Sequence, residues 1–185
     1  MRNRINFFKE AIKNLKTSGT VTPSSRFLSN RMLKEIDFSK TNVLVELGPG
    51  NGAITELILN RISPESTLIC FEINDNFYNQ LLELNNSQLI VINTSAENIL
   101  KELNKLGFSK ANHIISSLPF TNIPVQVSKN ILEKSFNALE REGTFVQYQY
   151  SLTYFKKLKA VFNESISLEF EPLNFPPAFV YFCKK

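Results

Sequence analysis

From about residue 41 onward this chain alternates short apolar runs with longer stretches of helical period, and that alternation leaves few folds open to it. The apolar runs near 42–47, 67–72, 88–92, 111–117 and 143–150 have strand length. Between and after them, near 53–62, 75–84, 96–106, 124–140 and 152–162, apolar residues recur at helical spacing, and two further strands are expected near 165–171 and 178–183. Ser63-Pro64, Asn85-Asn86, Gly107 and Gly143 fall where one element should give way to the next. The expectation is an α/β fold: a doubly wound, seven-stranded, mostly parallel sheet over 41–185, preceded by a helical extension over 1–40 with helices near 3–16 and 24–36.

No apolar run approaches the roughly 20 residues that a bilayer-spanning helix needs; Leu68 to Phe71, Leu89 to Ile92 and Ala178 to Cys183 are typical. Lys9, Glu10 and Lys13 interrupt the apolar core that a secretory signal would require, so a cytoplasmic protein is expected. Cys70 and Cys183 lie in strand-like runs with apolar neighbours, which predicts buried reduced thiols rather than a disulfide or a metal site. The net charge of +4 is uneven: residues 1–40 hold nine basic and three acidic side chains, so this segment carries +6 and the remainder −2. Within 3–16, Ile5, Phe8, Ile12 and Leu15 form a stripe widened by Phe7, while Arg4, Lys9, Lys13 and Lys16 lie largely off it. Such a basic amphipathic helix either packs its stripe on its own domain or lies in the headgroup layer of an anionic membrane.

The strongest chemical signal is Glu46-Leu47-Gly48-Pro49-Gly50-Asn51-Gly52, an acidic strand end followed by a glycine-rich turn into a helix. Glycine there lets the backbone turn sharply and approach a ligand closely. The second strand ends at Glu72-Ile73, about twenty residues after the last glycine, where a carboxylate is placed to accept hydrogen bonds from ribose hydroxyls. After the third strand, Ser95-Ala96-Glu97 offer contacts to an adenine edge. Nicotinamide enzymes use the spacing G-x-G-x-x-G; here the glycines stand at 48, 50 and 52.

The set resembles the Rossmann-like class I methyltransferases. That resemblance implies S-adenosylmethionine as cofactor, held by Glu46, Gly48, Pro49, Gly50, Asn51, Gly52, Glu72, Ile73, Ser95, Ala96, Glu97 and Ser117. It also places the fourth-strand end, Ser116-Ser117-Leu118-Pro119-Phe120, beside the transferring methyl group. Methyl transfer from a sulfonium is an in-line displacement that needs alignment and dryness rather than a protein nucleophile. Phe120 suits a wall against an amine, and the carbonyls near Ser117 and Leu118 suit its hydrogens. His113, the only histidine, lies within the strand and is expected to be structural.

Two families share this neighbourhood. The rRNA adenine dimethyltransferases carry Asn-Leu-Pro-Tyr/Phe, with Asn on the adenine amino group, and add a helical C-terminal domain; here Ser117 stands at the Asn position. The bacterial phospholipid N-methyltransferases resemble the chain over nearly its whole length. Their Gly-x-x-x-Pro-Ser-Ser-Arg-like segment is matched by Gly19 to Arg26, their Gln-x-x-Tyr-like strand end by Gln147-Tyr148-Gln149-Tyr150, and their Asn-Leu-Pro-Pro-Ala by Asn174-Phe175-Pro176-Pro177-Ala178. Departures from that pattern are Ser116-Ser117 for Ser-Gly, Ser95 for Asp and Phe175 for Leu. This resemblance implies methylation of a phospholipid amine such as phosphatidylethanolamine by a protein held peripherally at the inner face of the cell membrane. Tyr148, Tyr150 and Asn174 would contact the headgroup, with Ser117, Leu118, Pro119 and Phe120 at the reaction end. Arg4, Lys9, Lys13, Lys16, Ser24, Ser25 and Arg26 would serve the membrane or substrate side. Methylation of an RNA adenine, which the positive N-terminus would also serve, and of a small molecule remain the alternatives.

Overall fold

The computed structural model describes residues 25–163 and 165–185; the expected helix at 3–16, with Arg4, Lys9, Lys13 and Lys16, lies outside the described residues, as does Ser24. Helix α1 (Arg26–Met32) leads to β1 (Val43–Leu47), α2 (Ala53–Leu59), β2 (Thr67–Phe71), α3 (Asp75–Leu82), β3 (Leu89–Ile92), α4 (Ile99–Lys105) and β4 (Ala111–Ser116). Then follow α5 (Val125–Ala138), β5 (Leu139–Gln149), α6 (Phe155–Phe162), β6 (Ile166–Glu171) and β7 (Ala178–Lys184). The seven strands form one sheet in the order β3-β2-β1-β4-β5-β7-β6. β1 to β5 pair in parallel, whereas β7 is antiparallel to both β5 and β6.

Alternation within the strands divides the apolar side chains between two cores, one on each face. Val43, Val45 and Leu47 of β1 join Ile99, Ile131 and Leu158 from α4, α5 and α6. Leu44 of the same strand faces the other way and meets Leu28, Met32, Ile54 and Ile58 from α1 and α2. The described part of the expected 24–36 helix is therefore built into the second core: Leu28 and Met32 are fully buried, and each contributes about 1.5–3 kcal/mol by leaving water. Ser25 caps this helix by accepting from the Leu28 N–H.

Several boundaries differ from those expected. The segment expected as one helix over 96–106 opens with a 3-10 turn, Ala96–Asn98, set by the Ser95 side chain, and the one over 152–162 opens with Leu152–Tyr154. β5 begins at Leu139 rather than near 143. Glu140, Arg141, Glu142 and Gly143 look like a turn, but Leu139 pairs with Ala111 and the register then shifts before His113 meets Thr144, so the irregular stretch continues the strand. Both cysteines are free and buried, as expected. Among the described residues no helix is long and apolar enough to cross a membrane.

Candidate active site

Parallel pairing of β1, β2 and β4 puts their C-terminal ends side by side, the place where open α/β sheets bind ligands. The Gly48 N–H donates to the Phe71 carbonyl at 3.0 Å and the Ser117 N–H to that of Leu47 at 2.9 Å, so the three strand ends are stitched together. Gly48, Gly50 and Gly52 all have left-handed backbones, at φ 70°, 59° and 84°. At Gly48 the constraint is also steric: an added Cβ would lie 2.7 Å from Leu118 Cδ2. The glycine loop and the fourth-strand loop thus touch, and a side chain added at Gly48 would have to displace Leu118. At Gly50 the nearest atom to an added Cβ is Phe77 Cε2 at 3.8 Å, which leaves the backbone open to a flat ligand.

Glu72 is 5% exposed at the end of β2, and its two oxygens accept from Gly50 N–H at 3.1 Å and Asn74 N–H at 2.7 Å. Its carboxylate anchors the glycine loop to the second strand. Beside it, Ile73 is buried in the first core. Glu46 lies fully buried beneath the loop, its Oε2 accepting from Thr55 Oγ1 at 2.6 Å and Cys70 Sγ at 3.5 Å. Burial pushes its carboxyl up to about 7, the two donors opposing that rise and the nearby Glu72 adding to it. Glu46 Oε1 has no hydrogen-bond partner among the described residues, which leaves one unpaired polar oxygen buried under the loop, a donor while the carboxyl holds its proton. Pro49 is buried and its carbonyl accepts from Gly52 N–H, while Asn51 is exposed at the start of α2. Open left-handed glycines, a carboxylate at the second strand and an unpaired buried polar oxygen fit a nucleoside bearing a polar tail.

At the third-strand end Ser95 Oγ accepts from Glu97 N–H, and Ala96 is buried. The Glu97 carboxylate is turned toward α5, where Asn130 Nδ2 donates to it at 2.9 Å, and its carbonyl accepts from Lys134 Nζ. An adenine contact at this strand end is therefore left to Ser95 and Ala96.

On the reaction side the structure alters several expected roles. The Leu118 carbonyl, expected to receive an amine hydrogen, already accepts from Gln147 Nε2 at 3.1 Å, Gln149 Nε2 at 3.2 Å and Phe120 N–H at 2.9 Å. Gln147 and Gln149 are buried, and their position two residues apart in β5 sends both amides to the same side of the sheet. Phe120, expected as a wall, is 1% exposed and stacks on Tyr154 at 5.1 Å, inside the first core. Asn174, expected on a headgroup, is a clasp: its Oδ1 accepts from Ser25 N–H and its Nδ2 donates to the Pro176 carbonyl, tying α1 to the β6–β7 turn. Tyr148 and Tyr150 contact each other edge to face at 5.7 Å, with Tyr150 41% exposed at the sheet end. Arg26 is exposed. Pro119 leads into the 3-10 turn Phe120–Asn122. His113 sits inside β4, paired with Leu44 and Thr144, with its titration lowered chiefly by burial.

The family model described as ribosomal RNA adenine dimethylase matches residues 24–165. The chain is 27% identical, over 186 residues covering 100% of it and 97% of the relative, to an ornithine lipid N-methyltransferase of Singulisphaera acidiphila. Among solved structures it resembles a SAM-dependent O-methyltransferase of Thermotoga maritima, with TM-score 0.67 at 13% identity over 95% of this chain and 71% of that one. It also resembles a Streptococcus mutans protein in complex with SAH, with TM-score 0.57 at 18% identity over 85% of this chain and 95% of that one. At these identities the structural likenesses speak for the fold.

Proposed function

We propose a lipid amine as the methyl acceptor of this chain, which belongs to the ribosomal RNA adenine dimethylase family and is a class I S-adenosylmethionine-dependent methyltransferase. The observation that carries the lipid reading is the end-to-end match with an ornithine lipid N-methyltransferase. Ser117 standing where adenine-methylating relatives carry Asn supports it.

Bound S-adenosylmethionine supplies a methyl group on a positively charged sulfur, open to attack from the side opposite that sulfur. The chain's own residues hold and orient. Gly48, Gly50 and Gly52 present open backbone, Glu72 takes the ribose hydroxyls, Ile73, Ser95 and Ala96 border the base, and Glu46 Oε1 offers a buried polar oxygen. Gln147 and Gln149 clamp the Leu118 carbonyl, which fixes Ser117 to Pro119 against the glycine loop, so the acceptor nitrogen meets a rigid rim. To accept that methyl the amine would need a free lone pair and would have to give up a proton to solvent; Tyr150 is exposed at this end of the sheet. Phosphatidylethanolamine and ornithine lipid both offer an amine of this kind, and the basic segment 3–16 meets the anionic headgroups around it, at the cytoplasmic face of the membrane.

A second reading, methylation of an RNA adenine, is favoured by the description of the family. Mass spectrometry of amine lipids incubated in mixed micelles with the protein and S-adenosylmethionine separates the two: N-methylated headgroups are expected. The lipid reading fails if every amine lipid returns unmethylated from protein that binds the cofactor.

A further inference from the structure

Because β7 runs antiparallel to β5 and β6, the β6–β7 turn stands at the same end of the sheet as the glycine loop and Leu118. Leu173 in that turn is 62% exposed and Phe175 84%, whereas Asn174 between them is buried. The Asn174 clasp on Ser25 and Pro176 holds the turn and leaves its two apolar neighbours facing water. Across the clasp Phe27 of α1 is 56% exposed, and on the other side of β5 Tyr150 and Leu152 are 41% and 49% exposed. One exposed apolar side chain is ordinary, but several around the rim of a site mark a contact surface.

Charge gives the surface its partner. The carboxylates nearest this edge, Glu169 and Glu171, are neutralised by Arg31 and Lys34. Arg26 is exposed beside the turn, and Lys156 and Lys157 are exposed at the start of α6, which begins at this end of the sheet. Asp75 and Glu97 follow β2 and β3 and so lie on the opposite half of the same end. The half of the mouth that carries the apolar tips thus also carries exposed cations. Apolar tips with neighbouring cations are what an anionic bilayer surface accepts.

We propose that this rim, with Leu173 and Phe175 at its tip, seats the chain on an anionic lipid bilayer and turns the mouth of the site toward the headgroups. The inference rests on the lipid reading above. A lipid amine stays in the headgroup layer because withdrawing its acyl chains is costly for every methylene exposed. The site must therefore come to the membrane, and the half of its mouth that carries apolar residues is the half that can.

The chain has no tryptophan, so Phe175→Trp supplies a single reporter. Leu106→Trp, where Leu106 is 36% exposed just ahead of β4 at the far end of the sheet, supplies the control. Vesicles of phosphatidylglycerol and acyl-brominated phosphatidylcholine are expected to shift the first reporter to the blue and quench it, leaving the second unchanged. The proposal is overturned if neither is quenched, if both are quenched alike, or if the first is already shielded without lipid and lipid leaves it unaltered, as a covering segment or a second copy would produce. In a second arm, Leu173→Ser with Phe175→Ser is expected to lower vesicle affinity about tenfold or more, while methylation of the same lipid in detergent micelles stays at the wild-type rate. Equal vesicle affinity overturns the docking surface. Failure of the wild type to methylate any lipid in micelles instead overturns the lipid reading, whatever the reporters show.

Discussion

Replacing Gly48 by alanine imposes two separable costs. Its backbone is held at φ +70°, which costs a residue with a side chain about 1–2 kcal/mol. The new Cβ would also stand 2.7 Å from Leu118 Cδ2 and 3.4 Å from Cγ. The contact is with the tip of a side chain, so Leu118 can swing, but it is 6% exposed and packed, and leaving its rotamer costs about 1 kcal/mol more. Gly107 isolates the first cost, since its φ is +84° and nothing lies within 4 Å of an added Cβ. Urea unfolding should therefore show Gly48→Ala destabilised by about 2–3 kcal/mol and Gly107→Ala by about 1–2 kcal/mol. For a chain of this size, the difference separates their melting temperatures by about 2–4 °C. Methyl transfer should separate them further, because a displaced Leu118 shifts the loop proposed to bound the acceptor, whereas Gly107 lies at the far end of the sheet. If the two variants lose the same stability and the same activity, the contact between the two loops constrains nothing and the steric reasoning is refuted.

Three further outcomes follow from the site. Glu46 keeps its proton up to about pH 7, while in the unfolded chain its carboxyl ionises near 4.5. The native state thus holds the extra proton and loses stability as pH rises between those values, by about 3 kcal/mol at most. Glu46→Gln should remove that slope, and parallel wild-type and variant stability curves across the window would contradict it. Glu72→Ala removes the proposed ribose partner and unties Gly50 and Asn74, so calorimetry should show S-adenosylmethionine affinity lowered by about 10- to 100-fold; unchanged affinity would remove Glu72 from the site. Gln149→Leu deletes one of the donors on the Leu118 carbonyl and should cost about 1 kcal/mol of stability. Its kcat should fall by about tenfold, with KM for the cofactor held, because the loop is mispositioned rather than unfolded; an unchanged kcat would reduce the clamp to packing.

The parts legible in the sequence were those that repeat along the chain. Apolar runs at strand spacing marked seven strands and two covered faces, and the glycines with Glu72 marked the sheet end where β1 and β2 finish, because turn chemistry and strand ends leave local signatures. Contacts that arise only from register were not legible. Gln147 and Gln149 meet the Leu118 carbonyl because β4 and β5 pair Ser116 with Gln147, and no local pattern reports that pairing. One signal was available: two long amides on one face of a strand otherwise apolar on that side. Asn174 misled for the same reason, since its partners Ser25 and Pro176 lie 149 and two residues away in sequence. Phe120 looked like a pocket wall because aromatic character says nothing of which side of a loop a ring takes. The 3-10 turns before α4 and α6 were read as helix, since apolar spacing continues through them.

The central claim is tested most directly by offering labelled methyl from S-adenosylmethionine to the full chain together with vesicles of phosphatidylethanolamine, ornithine lipid and phosphatidylglycerol and with ribosomal RNA in the same reaction, then separating the two fractions. Label in the amine lipids and none in the RNA is the expected result. Label in the RNA alone would show that Ser117 does not exclude an adenine and that the acceptor is a nucleic acid.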